Sequence, residues 1–265
     1  MHLKSNVAIT LYVLTLVVSL PFQFTSQRYS DRIANIAFLR FWNQCLIEKH
    51  GYAWFTIVYL SFILTYCSEK SLRVPEVVVY RFISVYCVNT VIFLALNIWC
   101  FGPSIFDRIN TMTSGCCSIE SIDYKRKCLE HNGKWINGFD VSGHMYFISS
   151  TSCLIWQEML KGLLGFSESS TDSLQTDTEA QVASNLIGNE NRDGEMDERK
   201  KQALNKRAKK WIKNVIFSYS LLYVLLTYCM YVVTCFFFHT AFEKIIGLIF
   251  GMTLPSILFF FERKD

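Results

Sequence analysis

Gly138-Phe139-Asp140-Val141-Ser142-Gly143-His144, continuing through Met145-Tyr146-Phe147-Ile148 to Leu154-Ile155-Trp156, is a polar turn that runs straight into an apolar segment. The run after His144 reads as a helix entering apolar surroundings, and either Asp140 or Ser142 is a natural N-cap for it. A helix start leaves backbone N–H groups unpaired and carries the positive end of the macrodipole, so an anion is favoured there. Gly143 has no Cβ, which would let a phosphate come close to the backbone. The stretch thus sets a histidine at the mouth of a membrane-embedded helix, a position suited to chemistry on a phosphate.

Working outward, 51% of the 265 residues are hydrophobic and 15% aromatic, and the apolar residues gather into blocks near the length that crosses roughly 30 Å of hydrocarbon. Such blocks fall at about 7–24, 53–67, 82–101, 143–165, 214–238 and 245–262. The expected fold is therefore all-α and polytopic, a six-helix transmembrane bundle, which excludes an ordinary soluble domain. The second block is short for a full span. The fourth carries Ser149, Ser150, Thr151, Ser152, Glu158 and Lys161, so both are expected to be tilted, kinked or buried among other helices. The first has no clean cleavage site and retains Lys4, which reads as a retained span or signal anchor. Ser167 to Asn191 is rich in Ser, Thr, Asp, Glu, Gln and Asn and has no apolar periodicity. The stretch 166–212 is expected to be a disordered cytosolic loop, and 102–140 a lumenal one.

Basic residues set the orientation. With the N-terminus in the cytosol, the cytosolic segments hold Lys4, then Lys70, Arg73 and Arg81, then Arg199, Lys200, Lys201, Lys206, Arg207, Lys209, Lys210 and Lys213, then Arg263 and Lys264. The basic block before the fifth span is a topology determinant that can also meet anionic head groups. Fewer positives flank the other face, among them Arg28, Arg32, Arg40, Arg108, Lys125 and Lys134. Of the five histidines, His2, His50 and His131 fall in polar flanks or loops and read as solvated. His144 opens the fourth span from the non-cytosolic side. The fifth starts near Lys213, and about 25 residues at 1.5 Å each carry it across to His239, so both histidines meet the same face. His239 follows Phe236-Phe237-Phe238, a context that also suits an interfacial residue. Two imidazoles at one level beside a helix N-terminus are what transfer through a phosphohistidine needs, one attacking phosphorus and the other protonating the departing oxygen.

Gly138 to His144 resembles the Gly-Phe-Asp-Ile-Ser-Gly-His signature of the FIT, or fat storage-inducing transmembrane, proteins, with Val141 for isoleucine. Phe101 to Arg108 with Thr113-Ser114-Gly115-Cys116 is similar to the segment after the third span of the fungal members, and Cys128 with Gly133, Lys134 and Trp135 to the stretch before the signature. Glu158-Met159 resembles the acidic end of the family's fourth span, and His239 sits where the family has its second functional histidine. The resemblance covers most of the chain outside 166–212 and suits the shorter fungal type. It implies a multi-pass endoplasmic-reticulum protein with a core like that of the lipid phosphate phosphatases. It also implies cleavage of fatty acyl-coenzyme A on the lumenal side to acyl-4′-phosphopantetheine and adenosine 3′,5′-bisphosphate, in support of lipid droplet formation and phospholipid metabolism. The chain departs from the phosphatases in having Asp140-Val141 where a proline precedes Ser-Gly-His, no Lys-x6-Arg-Pro element, and no Ser-Arg before His239. Those missing cations clamp phosphate.

By that analogy His239 is the nucleophile, and His144 is the acid that protonates the leaving phosphate and then the base that activates water. Asp140, four before His144, and Glu243, four after His239, would orient imidazoles if the helices continued through them; otherwise Asp140 is a cap and Glu243 an interfacial charge. Phosphate charge would be met by the N–H groups of Ser142 and Gly143 with Lys134, Arg108 or Lys244. In the lumenal, oxidising loop, Cys128 is expected to pair with Cys116 or Cys117 and restrain the approach to His144. Cys67, Cys87, Cys100, Cys153, Cys229 and Cys235 lie in or at span ends as small hydrophobes. No metal-ligand cluster, nucleotide loop or nucleic-acid module is visible, and no cofactor is expected. The expected partners are a fatty acyl-coenzyme A substrate, the lipid bilayer, and diacylglycerol or triacylglycerol. Alternatives are a lipid phosphate phosphatase acting on phosphatidate-like monoesters and a non-catalytic neutral-lipid binder.

Overall fold

Hydrocarbon offers a backbone no partners, so apolar segments satisfy their own N–H and C=O groups as helices. The computed structural model describes residues 2–22, 25, 27–67, 76–98, 102–160 and 192–262. Its long helices are α1 (His2–Ser19), α4 (Gly51–Cys67), α5 (Glu76–Asn97), α8 (143–160), α9 (Arg192–Phe237) and α10 (Ala241–Glu262). Among the described residues, three stretches are long and apolar enough to cross a membrane: Val79–Asn97, Leu204–Phe237 and Ala241–Leu258. Val7–Phe22 and Gly51–Phe62 are apolar but shorter. The chain is thus an all-α membrane protein with three candidate spans. α5 starts and ends earlier than the block at 82–101, and α10 starts at Ala241 rather than 245.

One expectation is corrected outright. Residues 192–212 are not disordered: they form the first turns of α9. The segment is charged, but its Glu, Met, Lys, Gln, Ala, Leu and Arg are strong helix formers, and an apolar helix already nucleated on its C-terminal side extends through it without a second nucleation cost. Ser167 to Asn191 lies outside the described residues.

α8 is the least lipid-like of the apolar blocks because it is enclosed. Ser149, Ser150, Thr151 and Ser152 are buried, and their hydroxyls find partners. Ser149 and Thr151 donate to the carbonyls of Met145 and Phe147 at 2.6 and 2.8 Å, Ser150 donates to Asn89 Oδ1 on α5 at 2.9 Å, and Ser152 meets Thr227 on α9 at 3.1 Å. Buried hydroxyls bonded across helices hold a bundle where apolar contact alone gives little selectivity over lipid. On a third side α8 meets α10 through a Gly-x3-Gly pair. A Cβ on Gly247 would stand 2.5 Å from the carbonyl oxygen of Ser142, and one on Gly251 2.6 Å from that of Tyr146. Gly251→Val should therefore force α10 off α8 and cost at least about 1–3 kcal/mol. The check is thermal unfolding in detergent; an unchanged Tm would mean the two backbones do not approach.

The 102–140 loop is folded. α6 (Ile105–Met112) is capped by Ser104, whose Oγ accepts from the Asp107 N–H at 3.1 Å. A two-residue ladder pairs β1 (Cys116–Cys117) with β2 (Trp135–Ile136), and α7 (Lys125–Glu130) lies between them in sequence. Trp135 Nε1 donates to Asn110 Oδ1 at 2.8 Å. Gly138, at φ +81°, closes on the same asparagine so tightly that any side chain would collide with it. The turn leading to Asp140 is thereby fixed. Over residues 27–50 the chain forms α2 (Ser30–Ala34), α3 (Ala37–Asn43) and a π-helical turn, Gln44–Glu48, that packs on α4.

Candidate functional site

The site begins with two helix ends. α8 starts at 143, and Ser142 is its cap, Oγ accepting from the Met145 N–H at 3.4 Å. His144 projects from the first turn. α9 ends at Phe237, and His239 takes φ +60°, a left-handed conformation that stops the helix. Histidine is enriched in that region among non-glycine residues but still carries a cost there. Thr240 and Glu243 then start α10 with a capping box: the Thr240 N–H donates to Glu243 Oε2 at 2.7 Å, and the Glu243 N–H approaches Thr240 Oγ1 at 3.5 Å.

Glu243 also joins the two ends. Its Oε1 accepts the Asp140 N–H at 2.9 Å, and its carbonyl accepts the Ser142 N–H at 3.3 Å. His239 Nδ1 lies 3.7 Å from Glu243 Oε2 and 3.9 Å from Asp140 Oδ2. With two carboxylates facing Nδ1, Nε2 is the ring nitrogen left open toward a substrate. Lys125 Nζ holds Asp140 Oδ2 from the far side at 2.5 Å. His144 Nε2 meets Asn43 Oδ1 at 2.7 Å, which makes that ring nitrogen the donor, and Asn43 Nδ2 in turn donates to Glu48 Oε1 at 2.8 Å.

Both histidines line one cavity of about 320 Å³, together with Arg40, Asn43, Glu48 and Thr234. Asp140 lies outside α8, which begins three residues later, and its Oδ2 comes to His239 Nδ1. The Ser142 N–H is committed to Glu243 rather than open to an anion. Gly143 packs beside Asn97, whose Oδ1 would lie 3.4 Å from an added Cβ.

The three expected cations are elsewhere. Lys244 is buried with Nζ on the Cys235 carbonyl at 2.6 Å, Arg108 Nε bonds the Pro103 carbonyl at 3.0 Å, and Lys134 is exposed beside β2; none lines the cavity. The cation that lines the cavity is Arg40, while Lys125 is paired with Asp140. Sequence reasoning passed over Arg40, Asn43 and the Thr240-x2-Glu243 box. The first two sit in an amphipathic stretch whose Leu39, Trp42 and Leu46 repeat at helical spacing, and the box is readable as written.

Cys117 and Cys128 form a disulfide, and Cys116 is a free, exposed thiol. The bridge anchors α7, which carries Lys125, and so reaches the carboxylates behind His239. Cys128→Ser should loosen this loop by about 2–4 kcal/mol. Non-reducing peptide mapping should recover Cys117 joined to Cys128; a Cys116–Cys128 peptide would show the loop wired differently.

A model of the family described as "FIT: Fat storage-inducing transmembrane protein" matches residues 39–259. "Acyl-coenzyme A diphosphatase fit1" of Schizosaccharomyces pombe is 23% identical over 226 residues, 83% of this chain and 70% of that protein. "Acyl-coenzyme A diphosphatase YFT2" of Saccharomyces cerevisiae is 43% identical over 54 residues, 20% of each chain. No solved structure matches.

Proposed function

We propose that this chain, which belongs to the fat storage-inducing transmembrane (FIT) family, is a fatty acyl-coenzyme A diphosphatase. The observation that carries the reading is the meeting of His144 and His239, nearly a hundred positions apart, on one cavity with carboxylates behind His239. That arrangement suits phosphoryl transfer better than passive lipid binding, and the two curated relatives bear the activity in their names.

In this mechanism His239 Nε2 attacks one phosphorus of the diphosphate, and the bond from that phosphorus to the bridging oxygen breaks. His144 gives the departing oxygen a proton. His144 then takes a proton from water as the water attacks the phosphohistidine, and His239 is released. One water is consumed and two phosphomonoesters result, acyl-4′-phosphopantetheine and adenosine 3′,5′-bisphosphate. The Arg40 guanidinium supplies positive charge at the reacting phosphates. Asp140 and Glu243, with Lys125 behind Asp140, hold the His239 ring. Product analysis of the purified chain with oleoyl-coenzyme A, beside phosphatidate, tests this: release of the two phosphomonoesters supports it, and hydrolysis of phosphatidate alone sinks it.

The setting is the endoplasmic reticulum membrane, with six helices across it, both termini cytosolic and the histidines lumenal, where the products would feed lipid droplet and phospholipid metabolism. The disulfide on the histidine side suits an oxidising lumen, and the basic N-terminal turns of α9 suit the opposite, cytosolic face. α8 would cross as an enclosed helix whose hydroxyls are satisfied by its neighbours. An engineered glycosylation acceptor near Asn132 should be modified and one near Asn189 should not; the reverse pattern would invert the membrane orientation.

A further inference from the structure

Beside the histidine cavity lies a second, apolar one of about 70 Å³, between α3 with its π-helical turn and one face of α9. The two share Leu39, Met230 and Val233 in their walls, so the apolar slot continues the catalytic cavity rather than standing apart from it. On α9, Leu226, Met230 and Val233 fall at i, i+4 and i+7, one stripe of the helix. At 1.5 Å per residue they lie about 20, 14 and 9 Å from His239 along the axis, within the candidate span Leu204–Phe237. The slot therefore runs from the reacting group toward membrane depth, and Cys229, exposed on its wall, marks its open side.

Trp42 also lines the slot, and its indole Nε1 is buried without a hydrogen-bond partner among the described residues. A buried donor left unmade is destabilising, so it asks for an acceptor that the resting protein does not supply.

Resting on the acyl-coenzyme A reading of the cavity, we propose that the slot receives the acyl–pantetheine arm of the substrate, with the Trp42 N–H donating to a carbonyl of that arm. The substrate has the same polarity gradient as the pair of cavities. Its diphosphate meets Arg40 and the histidines, its pantetheine amides pass Trp42 and Met230, and its thioester and the start of its acyl chain reach Leu226 on the way to lipid. A neutral lipid tail in the same slot has no charged end to place beside Arg40.

Two experiments on the full-length protein decide it. In the His239→Ala background, where the proposed attack is blocked, an acyl-coenzyme A bearing a diazirine on the first carbons of its acyl chain should label peptides spanning 226–233 or 38–46, and excess oleoyl-coenzyme A should suppress the labelling. Label on other helices, or suppression by diolein vesicles as effective as by oleoyl-coenzyme A, would overturn the assignment. In the active protein, Cys229→Trp should lower the ratio of kcat/KM for oleoyl-coenzyme A to that for butyryl-coenzyme A by about tenfold, the scale on which an apolar pocket discriminates chain length. Trp42→Phe should raise KM for oleoyl-coenzyme A about tenfold, the worth of one hydrogen bond, with the loss falling on KM rather than kcat. An unchanged chain-length ratio would remove the slot from acyl recognition. Should the wild type cleave no acyl-coenzyme A at all, the diphosphatase reading fails by itself, and photolabelling still reports where the acyl chain lies.

Discussion

His239→Ala and His144→Ala should each lower the turnover of oleoyl-coenzyme A by at least about 10²–10⁴, the loss that accompanies removal of an acid–base or nucleophilic group. His239→Ala should be the more severe of the two, because the proposed phosphorus–nitrogen bond cannot form without Nε2 and nothing is left for water to resolve. Folding changes little in that variant: alanine meets the same left-handed backbone at φ +60° that histidine does, while the capping box of Thr240 and Glu243 stays in place. His144→Ala leaves Asn43 Oδ1 without its partner, but Asn43 keeps its bond to Glu48. The double variant is scarcely slower than the worse single one, since groups that act on one transition state do not contribute additively. His50→Ala and His131→Ala, both exposed and outside the cavity, remain near wild type. Steady-state rates with a membrane-insertion control check the set. If both site variants keep normal hydrolysis while the protein still alters droplet number, the enzyme reading gives way to a neutral-lipid binder.

How much of this was legible in the sequence depended on whether the cause was local. The helix start at Ser142-Gly143-His144 is written in cap and apolar run, and it appears where the pattern puts it. Helix rise alone could bring His144 and His239 to one level; that they line one cavity is visible only in the structure. The wiring between them could not. Asp140 reads as a partner for His144 four residues on, but the helix begins only at 143, and the Asp140 carboxylate also meets a histidine ninety-nine positions away. The Glu243 hydrogen bonds to Asp140 and Ser142 depend on how α10 docks on α8, and that docking depends on Gly247 and Gly251 allowing backbones within van der Waals reach. Charge misled in both directions. Lys244, adjacent to Glu243, looked available to phosphate and is instead spent on a helix C-terminal carbonyl. The charged run at 192–212 looked solvated and disordered, yet charge repulsion there is weaker than helix propensity backed by a long apolar continuation.

Arg40→Ala should be the most damaging single change outside the histidines, lowering kcat/KM by about 10²–10³, the range for removing one preorganised donor to a developing oxyanion. A diphosphate brings charge that two imidazoles and a pair of carboxylates do not balance, and this chain lacks the Lys-x6-Arg-Pro element that meets it in the lipid phosphatases. Arg40 lines the cavity with His144 and His239. One of its N–H groups is bound to Asn35 Oδ1 at 2.8 Å, which orients the planar fork, while the other donors can engage phosphate oxygens two at a time. Arg40→Lys keeps the charge but loses the fork, so it should recover part of the activity; Arg40→Gln, polar but neutral, should stay with alanine. Because the side chain is exposed, all three variants should unfold within about 0.5 kcal/mol of wild type, so a rate loss cannot be assigned to misfolding. Raising ionic strength should slow the wild type more than Arg40→Gln, since salt screens an attraction that only the wild type makes. Wild-type kinetics in Arg40→Ala would take α3 out of phosphate recognition and leave the charge to be met by Lys125 across Asp140.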